Sequence, residues 1–117
     1  MSEKVNQTLE SLKAIKGVHG ACLIEKFGLI VGSALPGWVD PEAVAAMVTL
    51  ILKASQRATK ELEQGEFKNA TIESGNGRIL FSEVKGNILT IITTTQAKQG
   101  IVQLKLGAAS KAIEQEL

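Results

Sequence analysis

The chain has 117 residues, which suits a single domain, and a formal net charge of +1, which excludes a strong general attraction to nucleic acid or to an anionic membrane. Hydrophobic residues make up 44% of the sequence and charged residues 21%, a balance that predicts a packed core and argues against a disordered chain. Only 3% of the residues are aromatic and none is Tyr, so the sequence lacks the stacking platforms of single-strand nucleic-acid binders.

The first part of the sequence predicts a helix followed by two short strands. Apolar residues recur at helical spacing between positions 2 and 16, and Gly17 and Gly20 follow where the helix is expected to end. Two mostly apolar strands are predicted over residues 21–25 and 29–34, joined by the tight turn Lys26-Phe27-Gly28. Because these strands are partly apolar on both faces, we expect helices to cover the sheet on two sides.

A long middle helix is predicted from Pro41 to about Gln64. Asp40 is a suitable N-cap, proline is favoured in the first turn, and Gly65 provides a stop. The face expected to pack in the core is apolar apart from one serine and consists of Val44, Met47, Val48, Ile51, Ser55 and Leu62.

Three strands and a final helix are predicted in the rest of the chain. The strands cover residues 67–74, 78–84 and 88–94, and short turns that contain glycine separate them, as is typical of consecutive hairpins. The last helix is expected over residues 100–117, with a buried face formed by Ile101, Leu104, Ala108, Ala112 and Ile113.

These elements follow the order α-β-β-α-β-β-β-α in one domain, residues 1–117. They predict an α/β (α+β) sandwich with a five-stranded antiparallel sheet, two helices on one face and one on the other. The first and last strands are the most apolar and are expected side by side at the centre. Their hairpin partners then place the second strand at one edge and residues 67–74 at the other, where another chain can add a strand.

Residues suited to catalysis or metal binding are few. His19 is the only histidine and Cys22 the only cysteine, so an internal disulfide and a zinc site of several cysteines are excluded. A histidine in a turn and a small thiol in the core are the simpler interpretation of both residues. Asp40, the only aspartate, is expected to serve as the N-cap. We therefore expect no catalytic residue, no metal site and no cofactor, and a protein that binds partners instead of catalysing a reaction.

The sequence also bears on location and on nucleic acid. No uninterrupted apolar stretch has the length of a membrane span, and residues 1–16 lack a signal-peptide core, so a cytoplasmic location without membrane insertion is expected. The segment Gly17-Val18-His19-Gly20 matches the glycine spacing of a KH-domain loop, but it joins a helix to a strand. We therefore expect no nucleic-acid partner.

The middle helix carries a second set of small and apolar residues away from its predicted core face. Their spacing lets another helix approach closely. Together with the open edge strand they predict a homodimer, in which the edge strands pair and the middle helices lie side by side. The residues expected at this interface are Ala43, Leu50, Ala54, Lys68, Ala70 and Ile72.

The outer face of the same helix is small in its first half and basic in its second half. A flat surface with a basic rim suits a protein partner better than a small molecule, which needs a concave pocket. An ordinary solvated face accounts for the same charges equally well.

Three features of the sequence resemble the Roadblock/LC7 domain family. They are the hairpin of residues 21–34, the segment Val39-Asp40-Pro41 that opens the long helix, and residues 86–92 before the final helix. The element order is similar as well, and single-domain bacterial and archaeal members are the most similar. The resemblance implies a profilin-like fold, a homodimer joined through the middle helix and the third strand, and regulation or scaffolding of a Ras-like small GTPase. It also implies that the paired middle helices bind the GTPase, through Ala46, Thr49, Leu50, Lys53 and Arg57.

Other functions stay open at this point. A structural adaptor would tether a larger assembly without regard to nucleotide, and a heterodimer with a similar chain could replace the homodimer. A small-molecule sensor is the least favoured, because no predicted inner face carries a polar cluster. Neither Arg57 nor Arg78, the only arginines, is favoured as an arginine finger, so any activation is expected to rearrange the GTPase's own switch loops.

Overall fold

The computed structural model describes residues 3–117, and the predicted order of elements is present over that range. The elements are α1 (Glu3–Lys13), β1 (Val18–Ile24), β2 (Ile30–Ala34), α2 (Pro41–Glu61), β3 (Asn69–Ser74), β4 (Gly77–Val84), β5 (Asn87–Thr94) and α3 (Gln99–Glu114). The first residue of the predicted N-terminal helix, Ser2, lies outside the described residues.

The strands form one antiparallel sheet in the order β2-β1-β5-β4-β3. This order confirms the prediction that the two most apolar strands lie together at the centre. The third strand is shorter than predicted, since β3 begins at Asn69. From Asn69 to Ser74 its residues pair with β4 alone, so the backbone groups on its other side point outward from the sheet.

Two helices cover one face of the sheet and one helix covers the other, as predicted. α1 and α3 pack around Leu23 and Leu89, whereas α2 packs around Cys22 and Ile88. Successive residues of a strand point to opposite faces, so the neighbours Cys22 and Leu23 enter different layers. Among residues 3–117, no helix combines the length and the apolar character that a membrane crossing requires.

The buried face of α2 differs in part from the predicted one. Val48 is buried and Val44, Ile51 and Ser55 are half-buried, but Met47 and Leu62 are 55% and 69% exposed. Ala45 and Leu52, which were not predicted in the core, are buried instead. Leu62 is exposed because α2 ends at Glu61, before the predicted Gln64. The chain then turns away through Glu63 and Gly65, whose φ angles of 55° and 85° are left-handed.

The buried face of α3 is rotated relative to the prediction. The residues that are buried are Val102, Leu106, Ala109 and Ile113. Of the predicted core residues only Ile113 is buried, whereas those left exposed are Ile101, Leu104, Ala108 and Ala112. Helical spacing alone could not show which face of α3 is buried, because the helix carries two apolar faces with the same period.

Candidate partner-binding surface

A side-chain cap determines where α2 begins. Asp40 has extended backbone angles, φ −83° and ψ 111°, and its carboxylate accepts a hydrogen bond from the backbone N–H of Glu42 at 3.1 Å. Pro41 occupies the first turn, where its missing N–H costs nothing. This start confirms the sequence prediction, and it determines which α2 side chains face the sheet.

α2 covers the sheet unevenly. It packs over β2, β1 and β5 and makes fewer contacts with β4 and β3. Its residues Val48 and Leu52 are buried against the covered strands. Ile79 on β4 and Ile92 on β5 face the same layer but remain half-buried. Apolar sheet surface is therefore left open beside the helix.

One side of α2 presents exposed apolar residues to solvent. Leu50 is 71% exposed and Met47 is 55% exposed. Ala43 and Ala54 are also exposed and continue the row at alternating steps of four and three residues, the spacing of a helix–helix seam. We call these four residues the α2 ridge. Met47, which was predicted to lie in the core, thus joins three residues that were predicted at a dimer interface.

A concave apolar surface lies beside the α2 ridge, between α2 and strands β4 and β5. This α2–sheet groove has a volume of about 360 Å³, and Met47, Ile79 and Ile92 are among its lining residues. Trp38 also lines it and is 71% exposed. The Trp38 ring packs edge-on against His19, with 5.4 Å between ring centroids. Large exposed apolar patches of this kind usually mark a binding surface.

The edge strand β3 adds to the same side of the molecule. Ala70 and Ile72 pair with Phe81 and Ile79, which line the α2–sheet groove, so all four side chains share one face of the sheet. Ile72 is 39% exposed. Lys68 lies just before β3, although its carbonyl accepts a hydrogen bond from the Glu83 N–H at 2.8 Å. The residues predicted at a dimer interface thus lie on the α2 side of the sheet or at its open edge.

The residues predicted to bind a GTPase differ in their surroundings. Ala46 and Lys53 are exposed on α2. Thr49 is half-buried, and its hydroxyl donates to the Ala45 carbonyl at 2.7 Å. Arg57 is exposed and forms an ion pair with Glu61 at 2.8 Å. The structure therefore places Thr49 on the flank of this surface and not at its top.

The β1–β2 turn extends the surface on that flank. A Cβ placed on Gly28 would lie 3.4 Å from the Thr49 hydroxyl, so the turn approaches α2 closely. Phe27 and Leu29, on either side of this glycine, are 76% and 69% exposed. Sequence reasoning treated the segment only as a turn. The signal that it carried was two large apolar residues in a tight turn, where polar residues are usual.

The side chains with catalytic or metal-binding chemistry are isolated from one another. Cys22 is fully buried, and burial raises the pKa of its thiol from 9.0 to about 12, with a smaller opposing effect from the Thr90 side chain. The thiol is therefore protonated at neutral pH and is a poor nucleophile. Within residues 3–117, no three His, Cys, Asp or Glu side chains are grouped so that they could hold a metal ion.

The two arginines lie on opposite sides of the sheet. Arg57 is on α2, whereas Arg78 pairs with Thr93 two residues before Leu80, which belongs to the core under α1 and α3. Arg78 also forms an ion pair with Glu73 at 3.3 Å. A partner bound on α2 would therefore meet Arg57 but not Arg78.

The model of the Roadblock/LC7 domain family matches residues 4–93. An uncharacterized protein of Methanocaldococcus jannaschii, MJ1340, is 28% identical over 110 residues, which cover 94% of this chain and 96% of that protein.

Two solved structures share the fold. Myxococcus xanthus MglB has a TM-score of 0.92 at 21% identity, over 97% of this chain and 94% of that one. A Roadblock/LC7 domain from Streptomyces avermitilis has a TM-score of 0.87 at 13% identity, over 95% of both chains. At these identities the similarity to solved structures is evidence for the fold alone. Because the family model matches residues 4–93, which are most of this chain, the chain belongs to the Roadblock/LC7 family.

Proposed function

We propose that this protein is a homodimeric regulator or scaffold that binds a Ras-like small GTPase on its paired α2 helices. The observation that carries the proposal is the exposed apolar surface of the α2 ridge and the α2–sheet groove, beside an open edge strand. Membership of the Roadblock/LC7 family supports a small GTPase as the class of partner. A cytoplasmic location fits such a partner.

The first step of the proposal is self-association. A two-fold axis beside β3 would pair the outward backbone groups of two edge strands and bring two α2 ridges together. Ile72, Met47 and Leu50 are exposed in the single chain and lie on the side that this arrangement would cover. Burying a large aliphatic side chain fully contributes about 1.5–3 kcal/mol, so covering the exposed parts of these residues would contribute to the driving force for association.

The second step concerns the surface that such a dimer would still expose. Ala46 is small, Lys53 and Arg57 are basic, and all three are exposed on α2. Two such helices side by side would form a broad surface with small residues and a basic rim, which suits a protein partner. Thr49 and Leu50 lie at its margins, Leu50 toward the second helix and Thr49 toward the β1–β2 turn.

The third step is that this protein regulates the GTPase without contributing a catalytic residue. Arg57 lies within α2 and is paired with Glu61, and Arg78 faces the other layer, so neither is placed as an arginine finger. We expect any activation of hydrolysis to come from rearrangement of the GTPase's switch loops. A double variant Arg57→Ala/Arg78→Ala should therefore retain the activation rate in a single-turnover GTPase assay, and loss of activation would contradict this step.

The function is tested by capturing small GTPases on the immobilised protein, with GDP and a non-hydrolysable GTP analogue loaded in parallel. We expect one nucleotide state to be enriched, and enrichment to fall with Lys53→Glu. The matched control is Lys111→Glu, an exposed lysine on α3 in the other layer. Equal capture in both states would favour a structural adaptor, and the absence of any GTPase would reject the regulator.

A further inference from the structure

A second groove lies on the opposite side of the sheet from α2, between α1 and α3. The C-terminal end of α1 lies beside the N-terminal end of α3, because Ile15 and Lys16 line the same hollow as Ile101. This hollow has a volume of about 240 Å³, and a larger one of about 360 Å³ continues from it along the two helices. Ile15 lines both parts. We call the two together the α1–α3 groove.

The floor and one wall of this groove are small and apolar. Ala108 and Ala112, one turn apart on α3, line its larger part. Ile101 is 44% exposed and Leu104 is 72% exposed, at positions that place both on the same side of α3 as Ala108. Four of the five residues that helical spacing assigned to the core of α3 are thus left exposed, all but Ile113. A single exposed leucine needs no explanation, but exposed apolar residues on one side of a helix do, and three of these four, Ile101, Ala108 and Ala112, line the groove.

The charge of the groove has one sign. Its charged lining residues are Lys16, Lys98 and Lys105. The carboxylate of Glu116 lines, together with Lys4, an adjoining hollow at the far end of the two helices. None of the three lysines forms an ion pair with another described residue. The first turn of α3 has no acidic residue, and Lys98 stands at its N-cap position without a side-chain cap hydrogen bond. The groove therefore presents an unneutralised positive rim around an apolar centre.

We propose that the α1–α3 groove binds an amphipathic helix of a partner protein, with acidic residues of that helix against Lys16, Lys98 and Lys105. Two helices separated by small residues accept a third helix in the groove between them, because small side chains allow close approach of the axes. The positive rim complements acidic residues and sets the orientation of the bound helix. This site lies across the sheet from α2, so it is independent of the proposed GTPase-binding surface.

The shape and composition of the groove argue against other anionic partners. A bilayer surface cannot enter a concave groove, and an interfacial membrane site needs apolar residues that project beyond the charged ones. Single-stranded nucleic acid needs aromatic platforms, and no Phe or Trp lines the groove.

The probe is a phage-displayed library of helical peptides about four turns long, selected on the immobilised full chain. We expect the enriched peptides to combine apolar residues at helical spacing with an excess of Glu and Asp. Ala108→Glu, which fills the groove at an exposed position, should weaken binding of such a peptide by about tenfold or more. Leu62→Glu is the control, since Leu62 is also exposed but lies at the end of α2.

A charge exchange makes the test specific. The double variant Lys98→Glu/Lys105→Glu should bind the acidic peptide about tenfold more weakly than the wild type does. A peptide whose acidic residues are changed to Lys should instead bind this variant in preference to the wild type. Circular dichroism and thermal unfolding check that each variant is folded. The proposal is overturned if enriched peptides are not acidic, or if they are insensitive to both variants. It is equally overturned if no helical peptide is enriched, whether or not the chain shows lysine-dependent binding to phosphatidylserine vesicles.

Discussion

Replacing Leu50 by alanine should weaken self-association while leaving the fold of the single chain almost unchanged. Leu50 is 71% exposed on α2, so its side chain contributes little to packing within one chain. In the proposed two-fold dimer the α2 ridges would face each other, and each substitution would be present twice. The perturbation therefore separates the energy of association from the energy of folding.

The exposed fraction of Leu50 determines how much free energy of dimerisation the Leu50→Ala substitution should remove. Burying a whole leucine side chain is worth about 2 kcal/mol, so burying the 71% that is exposed is worth roughly 1.5 kcal/mol per chain. Two copies give about 3 kcal/mol, which corresponds to an increase of roughly 100-fold in the dimer dissociation constant. Alanine keeps the Cβ and adds no charge, so the loss reflects apolar contact alone.

Sedimentation velocity over a concentration series measures the dissociation constants of the wild type and the variant. The control is Leu104→Ala, because Leu104 is 72% exposed on α3 and faces away from the α2 layer. We expect Leu104→Ala to dimerise like the wild type and both variants to unfold at similar temperatures when monomeric. Equal dissociation constants for the two variants, or a monomeric wild type, would refute the assignment of the α2 ridge to the dimer interface.

Three further predictions concern the fold. Asp40→Ala should lower the free energy of unfolding by about 1 kcal/mol in urea denaturation, since it removes the α2 cap. Asn also caps helices well, so an equal loss in Asp40→Asn would contradict this reason. Gly77→Ala should destabilise by roughly 3 kcal/mol, because its Cβ would overlap the Thr93 carbonyl oxygen, whereas Gly75→Ala, which meets open space, should be nearly neutral in the same assay. The raised pKa of Cys22 means that the folded state holds the thiol proton more tightly than the unfolded state, so this contribution to stability is complete below pH 9 and is lost as pH rises toward 12. Urea titrations at several pH values should show that loss in the wild type and not in Cys22→Ala.

A single helix supports both proposed surfaces on one side of this molecule. Ala45, Val48 and Leu52 hold α2 on the sheet, and the remaining circumference of the helix stays free. Because α2 covers β4 and β3 less than the other strands, the sheet contributes Ile79 and Ile92 to the same open area. Uneven coverage of the sheet is therefore the structural reason for an open apolar surface on this side.

The candidate site was partly accessible to sequence reasoning. Ala43, Leu50 and Ala54 were identified because small and apolar residues at helical spacing, away from a filled core face, are unusual on a solvated helix. Trp38 and Phe27 were not identified from the sequence, because both lie in loops, where no periodicity indicates which way a side chain points. Only the folded chain brings Trp38 to the α2–sheet groove and the turn at Phe27 to the flank of α2.

The sequence by itself determined the order of the elements, the start of α2 at Asp40 and Pro41, and the order of the strands. Each of these depends on local chemistry or on composition: a capping side chain, a turn between paired strands, and the greater apolar content of central strands. Short-range interactions decide the first two, whereas the strand order followed from composition, because the burial of apolar strands at the centre brings β1 and β5 together from distant parts of the sequence.

Only the tertiary structure decided which apolar face of a helix is buried. α3 offers one stripe that contains Ile101 and another that contains Val102, and both have the helical period. Periodicity gives the spacing of a buried stripe but not its rotation about the helix axis, which depends on packing against the sheet and α1. The same reason explains Met47, whose exposure on the α2 ridge follows from the way that Ala45, Val48 and Leu52 fit the sheet.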